Sequence, residues 1–135
     1  MYAQQRIFTR AIIDEFTKRV NAGDSARALG WDVPTENSSS GHYMSQRAFG
    51  HNGFTGTSVW IDPEKDLFVI LLTNRVYPSA ANDKIRQVRP ALHDAIIEAL
   101  CAGDPDAAER ATRAHFVQVV DALARAIEAA KLVPV

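Results

Sequence analysis

Phe49-Gly50-His51-Asn52-Gly53-Phe54-Thr55-Gly56-Thr57-Ser58-Val59-Trp60-Ile61-Asp62-Pro63, followed by Leu67-Phe68-Val69-Ile70-Leu71-Leu72-Thr73-Asn74-Arg75, decides the fold of this 135-residue chain. Residues 57–61 and 67–73 read as two arms of a β-hairpin closed by Asp62-Pro63-Glu64-Lys65-Asp66, since β-branched and aromatic residues fill the arms and turn formers fill the gap. A third strand, residues 47–52, enters the hairpin through Gly53 and Gly56. The second arm is apolar almost throughout, which predicts burial on both of its faces.

On either side of this stretch the periodicity is helical. Ile7, Phe8, Ala11, Ile12, Phe16 and Val20 form one stripe of an amphipathic helix expected to end near Gly23. Residues 28–33 suit a short strand stopped by Pro34, and the Ser- and Asn-rich run 35–41 reads as a flexible loop without a paired base for any serine. From residue 83 to 100 the stripe is Ile85, Val88, Leu92, Ile96 and Ala99. Gly103 suits the end of that helix, Asp104 the cap of the next, and Pro105 its first turn. A last helix, about 106–131, would bury Ala108, Thr112, Phe116, Val119, Leu123, Ile127 and Ala130. The expected class is α+β: a small antiparallel sheet flanked by helices, with a long C-terminal helix added.

Composition narrows the function without naming it. Hydrophobic residues at 47% and charged residues at 23% are ordinary for a chain that buries a core. A net charge of −1 and a pI near 6.4 give no footprint for nucleic acid or an anionic membrane surface. Cys101 is the lone cysteine, so no intramolecular disulfide can form. The first ten residues lack the apolar run of a signal peptide, which places the chain in the cytoplasm by default. Trp31 and Trp60 read as core or hairpin aromatics, and Asn74-Arg75 as the end of the last strand in contact with the loop that follows.

Residues 2–100, most strongly 31–78, resemble the C-terminal part of the serine β-lactamase and penicillin-recognising esterase superfamily. In that superfamily a strand ending in Lys/His-x-Gly borders the active site, and two further strands and a long helix follow. The resemblance implies that His51 and Gly53 hold the first and third positions of that motif, with Asn52 and Gly53 lining the substrate. It further implies that the Phe54 amide is an oxyanion donor, a role worth about 3 kcal/mol of barrier. The substrate would be an ester or β-lactam-like small molecule, and no cofactor is implied. None of the seven serines is followed three residues later by Lys, and no tyrosine is followed two residues later by Asn. The family's nucleophile and its helper are therefore expected to lie in a missing N-terminal half, leaving this chain inactive alone. The same half would pair with the strand at 67–73; without it, an open apolar edge favours homo-oligomers.

A second resemblance lies in the tail. Residues 93–115, from His93-Asp94-Ala95 through Gly103-Asp104-Pro105 to Arg113-Ala114-His115, are similar to the last two helices of FCD-type effector domains of GntR-family regulators. There a histidine on each helix helps hold a metal. His93 and His115 lie at similar heights about the break, nine residues before Ala102 and ten after Pro105. Two ligands fall short of the three or four a divalent site needs, so both histidines are expected at the margins of apolar stripes and no metal is expected. The division is thus 1–100 as a partial hydrolase-like domain and 101–135 as a helical extension. The rival reading is an oligomerisation module or a metal- or small-ligand-binding module made of vestigial effector helices.

Overall fold

The computed structural model describes residues 6–20, 27–104, 106–107, 109–110 and 113. Within them lie α1 (Arg10–Thr17), β1 (Phe49–Asn52), β2 (Ser58–Asp62), β3 (Leu67–Leu71) and α2 (Ile85–Cys101). The strands form one antiparallel sheet in the order β1-β2-β3, with Gly50 opposite Trp60 and Trp60 opposite Val69. The class is α+β, in keeping with a partial β-lactamase-like fold.

Side chains alternate across the sheet, so one face carries Asn52, Ser58, Trp60, Asp62 and Val69 and the other His51, Val59, Ile61, Phe68 and Ile70. The first face is closed. Trp60 is fully buried there among Met44, Ala48, Val69 and Ile97 of α2, with Leu67 and Ile96 at the margin. Gly50 makes room for the indole, since a Cβ at that position would stand 2.4 Å from Trp60 Cδ2. Asp62 is buried at the hairpin end, and its carboxylate accepts from Ser45 N and Oγ, both at 2.7 Å, and from Glu64 N at 3.1 Å. Three donors meet the need of a carboxylate withdrawn from water.

The second face departs from expectation. Phe68, Ile70 and Leu72 are 67%, 56% and 75% exposed, so the apolar arm is buried on one face only. Among the described residues only α1 stands over this face, and it stands off. Helix α1 buries none of its residues and borders a groove of about 1000 Å³ whose floor includes Phe49, Ile61 and Phe68. Ile12 and Phe16, on the expected buried stripe, remain exposed.

Helix α1 is also shorter than its periodicity suggests. Thr9 caps it by accepting from Ile12 N at 3.3 Å, but Lys18 turns extended. The backbone then pairs elsewhere: Val20 N donates to Arg27 O and Leu29 N to Phe16 O. Gly23 lies outside the described residues. Residues 28–33 form no strand; a turn through Gly30 (φ +84°) leaves Asp32 in single bridges with Arg27 and Gly50. Pro34 lacks the N–H needed to extend that pairing.

The buried face of α2 is wider than the expected stripe. Beside Ile85, Leu92 and Ala99 it carries Arg89, His93 and Ile97, so an arginine and a histidine face inward, while Ile96 packs at the margin of the core and Val88 is half-buried. Its end follows the sequence closely. Gly103 is left-handed (φ +66°), Gly103 N donates to Leu100 O and Asp104 N to Ala99 O, which closes a Schellman motif. Asp104 Oδ1 then accepts from Ala107 N at 2.8 Å as the cap of the next turn. The described positions 106, 107, 109, 110 and 113 are helical; the remainder of the expected long helix, including His115, lies outside the described residues.

Candidate functional site

The end of β1 places His51, Asn52, Gly53 and Phe54 in sequence along the rim of the sheet. His51 is exposed on the open face, where it lines a shallow depression of about 300 Å³ with Gly53, Thr57, Val59, Ile70 and Leu72. Asn52 turns the other way. Its Nδ2 donates to Asp32 Oδ2 at 3.2 Å and its Oδ1 accepts from Trp60 Nε1 at 3.3 Å, so the side chain ties the strand to the core. Gly53 has an intramolecular reason to lack a side chain: a Cβ would stand 2.3 Å from Thr57 Oγ1.

The turn from Gly53 to Thr57 is held through its carbonyls. Arg89 Nη2 donates to Gly53 O at 3.1 Å and to Thr57 O at 3.0 Å. Arg75 Nε donates to Phe54 O at 2.7 Å, and Arg75 N to Thr55 O at 2.7 Å. Thr73 Oγ1 completes the set on Gly56 O at 2.9 Å. All five carbonyls of the turn therefore accept hydrogen bonds, while the amides of Phe54 and Thr55 donate none among the described residues. Phe54 itself is exposed, with the Arg75 guanidinium 4.6 Å from its ring centroid.

Arg89 is buried yet has no carboxylate partner among the described residues, and its Nε is unsatisfied. Burial, and then the neighbouring charge of Arg75, disfavour its cationic form. Arg75 also donates through Nη1 to the carbonyls of Ala80 and Asn82, as its position at the strand end predicts.

On the other flank of β1, α2 pins the loop 38–44. His93 is fully buried and directs Nδ1 at Ser39 O, 2.8 Å away. A carbonyl can only accept, so Nδ1 carries the proton and Nε2, beside the Trp60 ring, is left without a partner among the described residues. Burial is the main reason that protonation of His93 is disfavoured. Asp94 Oδ1 accepts from the amides of His42 and Tyr43, and Tyr43 Oη donates to Glu98. Ser40 is buried in this loop, which is anchored rather than free.

His93 thus occupies the core, not the margin of a stripe, and His115 lies outside the described residues. Among the described residues no three His, Cys, Asp or Glu side chains gather as a metal site. Sequence reasoning missed Arg89, Thr73 and Asp32 as supports of the rim, and Asp94 as the anchor of the loop 38–44. The available signal for Arg89 was its place between Ile85 and His93, at i+4 and i−4, on what became the inner face.

No solved structure gives a significant match. Relatives in Salmonella gallinarum, Salmonella typhi and Salmonella paratyphi B, provisionally named D-alanyl-D-alanine carboxypeptidases, are each 32% identical over 87 residues. Those matches take in 62% of this chain and 20% of each relative, so the chain spans about a fifth of the relatives' length. The sequence profile described as Beta-lactamase matches residues 7–93. That span includes α1, the whole sheet and the first half of α2, and on this match the chain belongs to the β-lactamase family.

Proposed function

We propose that this chain supplies one wall of a serine-hydrolase site and is inactive until polypeptide bearing a Ser-x-x-Lys nucleophile completes it. The observation that carries the reading is the rim itself. A His-x-Gly strand end in a β-lactamase-family chain leads into a turn whose carbonyls are all occupied and whose Phe54 amide has no partner among the described residues. In this reading His51 faces the substrate from the open face, and Gly53 lets it lie close to the strand. The Phe54 amide is one oxyanion donor, and Asn52 keeps the rim in register with the core. The substrate is an ester or a β-lactam-like amide. The relatives' names extend the proposal to peptides ending in D-alanyl-D-alanine.

The same reading takes residues 1–100 as the partial hydrolase domain and 101–135 as a helical extension, whose likeness to FCD-type helices remains part of the proposal. Mixing the purified chain with the N-terminal half of a related esterase tests it with a chromogenic ester. Turnover is expected only in the mixture; His51→Ala should reduce it at least tenfold, and Ser40→Ala should leave it unchanged apart from any loss of fold. Loss of turnover in a folded Ser40→Ala with none in His51→Ala would reverse the assignment.

A second reading, an oligomerisation module, is favoured by one observation: β3 ends the sheet with Phe68, Ile70 and Leu72 exposed. Sedimentation of a clean monomer at high micromolar concentration would contradict it.

A further inference from the structure

Among the described residues the buried arginine of α2 has no counter-charge, and it forms no part of the hydrophobic cluster around Trp60. What it does touch is the turn, and the contact has a directional consequence. A trans peptide is planar, so the carbonyl of one residue and the amide N–H of the next point in opposite directions. Gly53 O and Phe54 N belong to one such plane. Drawing Gly53 O toward α2, through Arg89 Nη2 at 3.1 Å, turns the Phe54 N–H away from it.

The following plane is set in the same way, because Arg75 Nε on Phe54 O aims the Thr55 N–H. Without these donors the plane between Gly53 and Phe54 is the one best able to flip, since glycine lacks the Cβ that restricts its own backbone angles. Gly53 O would keep only its bond from Gly56 N, at 3.1 Å. A flip would present a carbonyl where an oxyanion needs a donor.

We propose that Arg89 is a positioning residue, which holds the Gly53–Phe54 peptide in the one orientation that presents the Phe54 amide to the substrate. The inference rests on the hydrolase reading above, but its geometry does not depend on turnover. Arg89 then costs the fold something, since a guanidinium withdrawn from water without a carboxylate is unfavourable. An apolar residue of similar length should relieve that cost while releasing the turn.

The test is Arg89→Met in the isolated chain, followed by ¹⁵N NMR and thermal melting. The Phe54 and Thr55 amide resonances are expected to shift and broaden or double, with β2 and β3 shifts retained and Tm equal or higher. Unperturbed Phe54 and Thr55 resonances in a folded variant would overturn the proposal. So would a lower Tm with changes spread across the sheet, the mark of a merely structural arginine. If Arg89→Met does not fold, Arg89→Lys, which keeps the charge and loses the planar fork, should perturb the same two resonances, and silence there overturns it.

In a reconstituted enzyme Arg89→Met should lower kcat by roughly tenfold or more with KM changed less than about twofold, because only the transition state uses the donor. Equal loss in both parameters would contradict the role. Should no mixture ever turn over an ester, the hydrolase reading fails, and the NMR result still decides what Arg89 does to the turn.

Discussion

The two faces of the same three strands are finished to different degrees. Beneath α2, Trp60 and Asp62 are fully shielded, every second residue of β2 is buried, and the Asp62 carboxylate accepts three hydrogen bonds. Across the sheet, His51, Phe68 and Ile70 look outward, and α1 stands over a groove instead of packing into it. Apolar side chains on a strand usually imply a cover, so the open face reads as a surface made to be covered, and it is the face that carries His51. The closed half stabilises the rim, and the open half leaves it accessible.

Substitutions can break or sharpen this contrast. The largest effect is expected at the centre of the closed face: Trp60→Ala should cost about 3–5 kcal/mol in denaturant melts, as large core truncations do. Phe68→Ala on the open face should change stability by less than about 0.5 kcal/mol. Equal losses at the two sites would mean that the faces do not differ.

Next comes Gly50→Ala, which drives a methyl into the Trp60 ring and the Val59 carbonyl. Its expected cost is about 1–3 kcal/mol, the range for overpacking. A neutral result in equilibrium unfolding would show that the indole can move aside.

A smaller effect belongs to His93. Its protonation is disfavoured in the folded chain, so the unfolded state binds the proton first as pH falls through about 6.5. Stability attributable to this residue is therefore complete above that pH and lost below it, with a slope of at most about 1.4 kcal/mol per pH unit. Asp94 partly opposes the shift and Arg89 adds to it. Melts of wild type and His93→Gln between neutral pH and pH 5 should differ in slope, the variant being flatter; identical slopes would place His93 in contact with water.

The smallest effect is expected from Ile70→Lys, which should leave stability within about 0.5 kcal/mol while raising the fraction of monomer. Unchanged sedimentation would show that β3 does not mediate association.

Much of the architecture was legible because its signals are local. The hairpin arms, the turn at 62–66 and the left-handed Gly103 followed by the Asp104 cap all depend on residues within a few positions of one another. The β-lactamase family was legible through the stretch around His51-Asn52-Gly53. Three features were not. The exposure of Phe68 and Ile70 depends on whether another element covers them, which an apolar run does not encode. The early end of α1 depends on Arg27 and Leu29, ten residues and more beyond the helix end, taking up the backbone there. The inward turn of Arg89 and His93 depends on carbonyls at Gly53, Thr57 and Ser39, all more than thirty positions away. Helical periodicity counts such residues as polar and assigns them outward; acceptors brought by the tertiary fold reverse the assignment.

The central claim, that the open face and rim are where further polypeptide completes a site, is tested most directly by amide hydrogen exchange. The chain would be compared alone and mixed with the nucleophile-bearing half of a related esterase. The outer-edge amides of β3 and those around His51 and Phe54 are expected to slow at least tenfold in the mixture, while those around Trp60 and in α2 stay as they were. Protection confined to α2, or ester turnover with no new protection on β3 and the rim, would contradict it.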